Sequence, residues 1–261
     1  MKDGKTIYSG WHDGKIRAFL PQSGKLLYTV NDCHVNGVTA IASTNCCTKI
    51  ISGGMNGEIR IWKIGKQNQT LDVSLKEHRG RVWSICLNSL NDRAISASAD
   101  GSCIIWDIKN YVRIACMFES TMFKQLTFYP DDSQIITCGS DKKITYWDTI
   151  DAEEIRCIDG SLEGEINSLS ITKSGESFVS AGEDRLVKVW DYEKGVCQYL
   201  GIGHSTTINR VAIAPNQEFM VSVGTDGSIY IWDMPMELRK AKKEKKSKKE
   251  KKDKKKKRRH E

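Results

Sequence analysis

The amino-acid sequence predicts an all-β fold, a β-propeller with six repeats visible, the first and last blades incomplete, followed by a basic tail. Three observations lead there. The first is a period. Trp62, Trp106, Trp147, Trp190 and Trp232 close short β-like runs, Phe19 takes the same place at the front, and the intervals are 43, 44, 41, 43 and 42 residues. Four-stranded propeller blades require a repeat of this length built from short strands. The second is a pair of fixed offsets. Six residues before each aromatic stands Asp13, Asn56, Asp100, Asp141, Asp184 or Asp226, and four before those stands Ser9, Ser52, Ser96, Thr137, Ser180 or Ser222. The third is a histidine 22 residues ahead of the Asp or Asn in three units: His34, His78 and His204.

These marks divide the chain into blades at about 1–32, 33–77, 78–120, 121–161, 162–203 and 204–235, with a Lys-rich tail over 236–261. In the second unit, VTAIAS (38–43) reads as the inner strand, KIISGG (49–54) as the second, EIRIWK (58–63) as the third and TLDVSL (70–75) as the outer one. Alternation and Val/Ile content support each strand, and Gly, Asn and Asp occupy the turns where positive φ is needed. The first unit has no room for an inner strand, and Met234-Pro235 follows Trp232 with no outer strand after it. The expected count is therefore three strands, four blades of four, and three more, leaving two unpaired edges, which suggests part of a longer propeller protein.

The runs IIWD (104–107), TYWD (145–148), VKVWD (187–191) and IYIWD (229–233) resemble the WD-repeat family. That resemblance implies a hydrogen-bonded relay of His, Ser/Thr, Asp and Trp across each blade, because a buried indole N–H and hydroxyl need partners. It assigns complete relays to His78–Ser96–Asp100–Trp106 and His204–Ser222–Asp226–Trp232. The second blade offers His34, Ser52, Asn56 and Trp62, with Asn in place of Asp. The fourth (Thr137, Asp141, Trp147) and fifth (Ser180, Asp184, Trp190) carry Glu119 and Leu162 at the histidine position and are expected to be weaker.

Further segments narrow the resemblance: DGKIRAF (13–19), GVTAIA (37–42), LKEH (75–78), DGSCIIWD (100–107), QIITCGSDKKITYW (134–147) and LVKVWDY (186–192). Together they resemble the C-terminal half of the cilia- and flagella-associated WD-repeat proteins that line the inside of axonemal doublet microtubules. The resemblance implies a non-catalytic structural protein of motile cilia and flagella, a microtubule inner protein with tubulin and other axonemal proteins as partners. It places the chain in the cytoplasm, on the cytoskeleton of the axoneme.

Composition bounds the alternatives. The formal charge is +7, yet sixteen of the 40 Lys/Arg and five of the 33 Asp/Glu lie in 237–261, leaving 24 basic and 28 acidic residues in 1–236. The body is mildly acidic and the tail supplies the basicity. No run of eighteen apolar residues exists, so no membrane partner is expected. The nine cysteines are odd in number and lack C-x-x-C spacing, which favours reduced thiols over a zinc site. Gly10-Trp11-His12-Asp13-Gly14-Lys15-Ile16 has one residue too few between its glycines for a phosphate loop, and no catalytic motif is present. Neither an enzyme nor a cofactor is expected.

The remaining candidate is surface. Positions three and five beyond each relay histidine should face the top or the central channel, which nominates Arg81, Trp83, Met122, Lys124, Glu165, Asn167 and Asn209. Arg81 and Trp83 lead, since Arg and Trp dominate interface hot spots. The tail has no apolar residue beyond Ala241, so it is expected to be disordered and to act electrostatically, on acidic tubulin tails or nucleic acid. From it comes the alternative function, a nuclear or nucleolar WD-repeat scaffold in ribosome assembly. A ubiquitin-ligase receptor ranks below both: the family's docking Arg is replaced by Lys109, Ile150, Glu193 or Pro235.

Overall fold

The computed structural model describes residues 4–65 and 68–238; the expectations for the tail from residue 239 onward lie outside the described residues. It is a six-bladed β-propeller. Blade one holds β1 (Ile7–Gly10), β2 (Ile16–Phe19) and β3 (Leu26–Val30). Blade two holds β4 (Val38–Ser43), β5 (Lys49–Gly54), β6 (Glu58–Ile64) and β7 (Gln69–Lys76). Blade three holds β8 (Val82–Leu87), β9 (Arg93–Ser98), β10 (Ser102–Asp107) and β11 (Val112–Phe118). Blade four holds β12 (Phe123–Phe128), β13 (Gln134–Gly139), β14 (Lys143–Asp148) and β15 (Glu154–Asp159). Blade five holds β16 (Ile166–Ile171), β17 (Ser177–Gly182), β18 (Leu186–Asp191) and β19 (Cys197–Ile202). Blade six holds β20 (Ile208–Ile213), β21 (Phe219–Gly224) and β22 (Ile229–Asp233). All pairings are antiparallel between chain neighbours, and the sheets have three, four, four, four, four and three strands, the count the period predicts.

After its first residue, the second strand of each complete blade is apolar or small because both of its faces are covered. KIISGG, RAISAS, QIITCG and SFVSAG are buried almost throughout. Five apolar clusters fill the spaces between successive blades. Between blades two and three, Ile51, Ile59 and Ile61 meet Val82, Ile85 and Trp106. Between blades four and five, Tyr146 and Ile144 meet Phe178 and Trp190, with the Phe178 and Trp190 rings stacked at 4° and 5.9 Å. Each core is thus shared, so no blade completes its own.

Two irregularities recur and place side chains. The residue after each relay Asp or Asn has positive φ: Gly14, Gly57, Gly101 and Gly227 in four blades, Lys142 (66°) and Arg185 (63°) in the others. At Gly101 a Cβ would stand 2.5 Å from the Glu119 carbonyl oxygen, so that position needs glycine for space as well as for φ. The second irregularity is a bulge near the start of every inner strand. Register shifts between Val38/Ala40, Val82/Ser84, Phe123/Gln125, Ile166/Ser168 and Ile208/Arg210. The residues passed over are Thr39, Trp83, Lys124, Asn167 and Asn209. A bulge re-aims the side chain it frees.

Candidate functional site

The relay side chains meet as a directed chain of hydrogen bonds in blade three. Trp106 Nε1–H donates to Ser96 Oγ (2.8 Å), which lies 2.7 Å from His78 Nε2. On the other side of the imidazole, Nδ1 is 2.8 Å from Ser102 Oγ, whose own proton goes to Asp100 at 2.6 Å. With that hydroxyl proton committed, Nδ1 carries the imidazole N–H and Nε2 accepts from Ser96. Burial holds the His78 pKa below its usual value, which keeps the ring neutral. Blade six repeats the pattern: Trp232 to Ser222 (2.7 Å), Ser222 to His204 (2.6 Å) and His204 to Ser228 (3.2 Å), with Asp226 accepting from the Ser228 N–H.

Blade two departs from it because Asn56 replaces the aspartate. Trp62, Ser52 and His34 are linked at 3.0 and 2.8 Å, but His34 Nδ1 is buried without a partner among the described residues. The place Ser102 takes in blade three belongs here to Glu58, which accepts from Arg60 (2.9 Å), Asn56 and Ser74. Burial, helped by the Arg60 charge, lowers His34 to about 4. Burial alone would raise Glu58, but the hydrogen bonds from Arg60, Ser74 and Asn56 bring it down to about 2.

Blades four and five keep only the indole bond. Trp147 donates to Thr137 (2.9 Å) and Trp190 to Ser180 (2.8 Å). Asp141 turns to the Lys143 N–H, and Thr121 takes the Asp141 N–H. In blade one Trp11 bonds Ser9 at 2.8 Å, since Phe19 has no N–H to offer. In blade five Leu162 points outward, 91% exposed. Lys188 enters from β18 instead, bonding Asp184 at 2.6 Å and the Gly160 carbonyl at 2.7 Å. With no imidazole there, a cavity of about 610 Å³ opens beside Leu162, Leu186, Lys188, Trp190 and Leu200.

The bulge residues build the channel mouth. The Arg81 guanidinium lies 3.8 Å from the Trp83 ring centroid and the Lys124 ammonium 4.4 Å from it. Lys124 also pairs with Glu165 at 2.8 Å. Cation–π contact and ion pair join Arg81, Trp83, Lys124 and Glu165 in one line across blades three to five. Met122 stands beside this line, 40% exposed, its N–H held by Ser140. Asn209 is exposed. Asn167 lies at the same level, but its side-chain amide donates to the Ile208 carbonyl (3.0 Å), tying blade five to blade six.

The offset reading does not reach two residues that complete this mouth, because they sit one position past the bulge. Gln125 donates to the Leu169 carbonyl (3.0 Å) and accepts from Ser168 and Arg210. Arg210, on β20, extends to the Trp83 carbonyl oxygen at 3.4 Å, reaching blade three from blade six. Nothing in a single sequence marks the bulge that puts them there. Among the described residues no group of three His, Cys, Asp or Glu is placed to hold a metal ion, and all nine cysteines are free.

Shared interblade cores, relay serines bonded to strand tryptophans, and a polar channel mouth together define a WD-repeat β-propeller, a scaffold fold. The chain belongs to the WD40 family: the WD domain, G-beta repeat, matches residues 24–63, 68–107, 120–148, 152–191 and 195–233. Among curated proteins it is similar to cilia- and flagella-associated protein 52 of Mus musculus, 49% identical over 208 residues, 80% of this chain and 34% of that protein. The protein of the same name from Chlamydomonas reinhardtii is 49% identical over 206 residues, 79% of this chain and 34% of its own. More distant is pre-mRNA-processing factor 17 of Homo sapiens, 26% identical over 164 residues, 61% of this chain and 28% of its own. The chain spans 34% of the length of the ciliary relatives it matches.

Proposed function

We propose that the chain is a non-catalytic scaffold of motile cilia and flagella that binds tubulin and neighbouring axonemal proteins as a microtubule inner protein of doublets. The observation that carries this reading is near-half identity to proteins named as cilia- and flagella-associated in both a mammal and a green alga. Such identity extends over four-fifths of the chain, well beyond what shared repeats alone produce in the 26% relative. The partner surface in this proposal is the line Arg81, Trp83, Lys124 and Glu165 with Met122 and Asn209 beside it; the relay residues hold the blades and make no partner contact.

The test is tagged expression in a ciliated cell, followed by detergent and high-salt extraction of isolated axonemes. Retention in the salt-resistant doublet fraction is the expected result. Release with soluble components, or a nuclear or nucleolar signal that disappears on deleting 237–261, overturns the reading and favours the ribosome-assembly alternative. Trp83→Ala should lower retention while leaving the thermal midpoint within a few degrees.

A further inference from the structure

The channel mouth holds more positive charge than the fold neutralises. Arg81, Lys124 and Arg210 converge on Trp83, and the acid among them, Glu165, is taken by Lys124 at 2.8 Å. Among the described residues neither Arg81 nor Arg210 forms an ion pair with a carboxylate. Arg210 meets only neutral oxygens, those of Gln125 and the Trp83 backbone. Arg81 Nε and Trp83 Nε1 are buried donors with no partner among the described residues. Two guanidinium groups without an anion, one on an exposed side chain and one half-buried, stand beside two buried N–H donors whose lost hydrogen bonds are costly to a folded chain taken alone. The same arrangement is preorganised for a carboxylate, which accepts from planar guanidinium groups and from an indole N–H.

We infer that this mouth receives the carboxylates of an acidic peptide segment of the partner, held by the Arg81 and Arg210 guanidinium groups that flank Trp83. The inference rests on the partner surface proposed above and adds its chemistry. Charge complementarity decides the class of occupant: a basic segment meets like charge, and an apolar one leaves both guanidinium groups unpaired. The mildly acidic body elsewhere leaves this mouth as a local exception.

The experiment is fluorescence anisotropy of a labelled Glu-Gly repeat peptide titrated with the full chain, with its Gln-Gly counterpart as control. The Lys-rich tail also attracts acidic peptide, but it is present in every variant and so drops out of the comparison. Arg81→Gln with Arg210→Gln is expected to weaken binding by about ten-fold or more, the loss appropriate to at least one charged hydrogen bond. The thermal midpoint of that variant should hold or rise, since two uncompensated charges leave; if it does not fold, Arg210→Lys should instead weaken binding about three-fold by losing the fork. Unchanged affinity in the Gln variants, or equal binding of the Gln-Gly peptide, overturns the inference. Axonemal retention separates it from the ciliary reading. If retention falls with Trp83→Ala yet the acidic peptide ignores both arginines, the surface stands and its carboxylate chemistry does not.

Discussion

Blades three and five carry the same Ser–Trp bond in two contexts, which makes Ser96→Ala and Ser180→Ala an internal comparison. Ser96 is wholly buried between Trp106 and His78, which are 1% and 6% exposed. Removing its hydroxyl orphans the Trp106 N–H and the acceptor side of His78, bonds of 2.8 and 2.7 Å. An unsatisfied buried group costs about 1–3 kcal/mol, so the pair is worth about 2–6 kcal/mol. Ser180 has the Trp190 bond at 2.8 Å and no imidazole, beside the cavity at Leu162. Its removal orphans one donor, about 1–3 kcal/mol, and the cavity offers that donor a route to water. Ser96→Ala should therefore destabilise by about 2 kcal/mol more than Ser180→Ala. Urea unfolding followed by far-UV circular dichroism gives the totals. Native-state hydrogen exchange of β8–β11 against β16–β19 shows whether each loss stays in its own blade. Adding His78→Leu to Ser96→Ala closes a double-mutant cycle, expected to give a coupling of about 1 kcal/mol or more. Equal losses in the two blades, or zero coupling, would show that the hydroxyl–imidazole link contributes nothing and refute the relay as an energetic unit.

Acid should destabilise the fold early. His34 binds its proton near pH 4 when folded and near 6.5 when unfolded, so its contribution is whole above pH 6.5 and falls by about 3 kcal/mol as pH drops to 4. Glu58, lowered to about 2, adds a loss that begins below pH 4.5; urea titrations at pH 7 and 4.5 should show a drop that His34→Leu shrinks, and an unshrunken drop rules the mechanism out. Cys46 is lowered to about 7 by its hydrogen bonds with Thr44 and Thr48, so iodoacetamide at neutral pH should label it before Cys116, whose thiol burial raises; mass spectrometry showing equal rates contradicts this. Lys188→Met leaves Asp184 without its cation in a mostly enclosed site and should lower stability by about 2–4 kcal/mol, partly restored by Asp184→Asn; no recovery in the double variant counts against the pair. Gly101→Ala meets both positive φ and a carbonyl oxygen, so its thermal midpoint should fall by several degrees more than that of an Ala substitution at Gly24, where the surroundings are open.

The blades were legible because their requirements are local and repeat. A Trp whose N–H must be bonded and a hydroxyl ten residues earlier to accept it leave the same spacing five times, with an Asp at the turn in four of them and Asn56 in the fifth. The replacements for missing members were not legible. Nothing in VKVWD marks Lys188 out, yet its ammonium is the side-chain partner Asp184 finds where no histidine is present. Likewise Asn56 announces a lost carboxylate, but not that Glu58 and Arg60 would move in and leave His34 Nδ1 orphaned. At the channel the counting failed by one residue. Offsets of three and five beyond the histidine find Arg81, Trp83, Lys124 and Glu165, whereas Gln125 and Arg210 lie six beyond. A bulge advances the register there, and the residues on either side of it look alike in sequence.

The bulges also explain why blade three carries the distinctive side chain. Freed residues in blades two, four and five tie each of these blades to the next: Thr39 to the Val82 carbonyl, Lys124 to Glu165, and Asn167 to the Ile208 carbonyl. Trp83 occupies the same station and makes no such bond, its indole N–H unpaired and its ring covered by two cations. A ring that uses this station for cohesion in blades two, four and five gives it up in blade three, with charge that the described residues do not neutralise gathered around it. Natural sequences are locally consistent with their fold and depart from it chiefly where something else is being served. The departure at Trp83 is therefore better explained by a partner that brings carboxylates than by packing, because packing alone would favour the threonine, lysine or asparagine found at the equivalent positions.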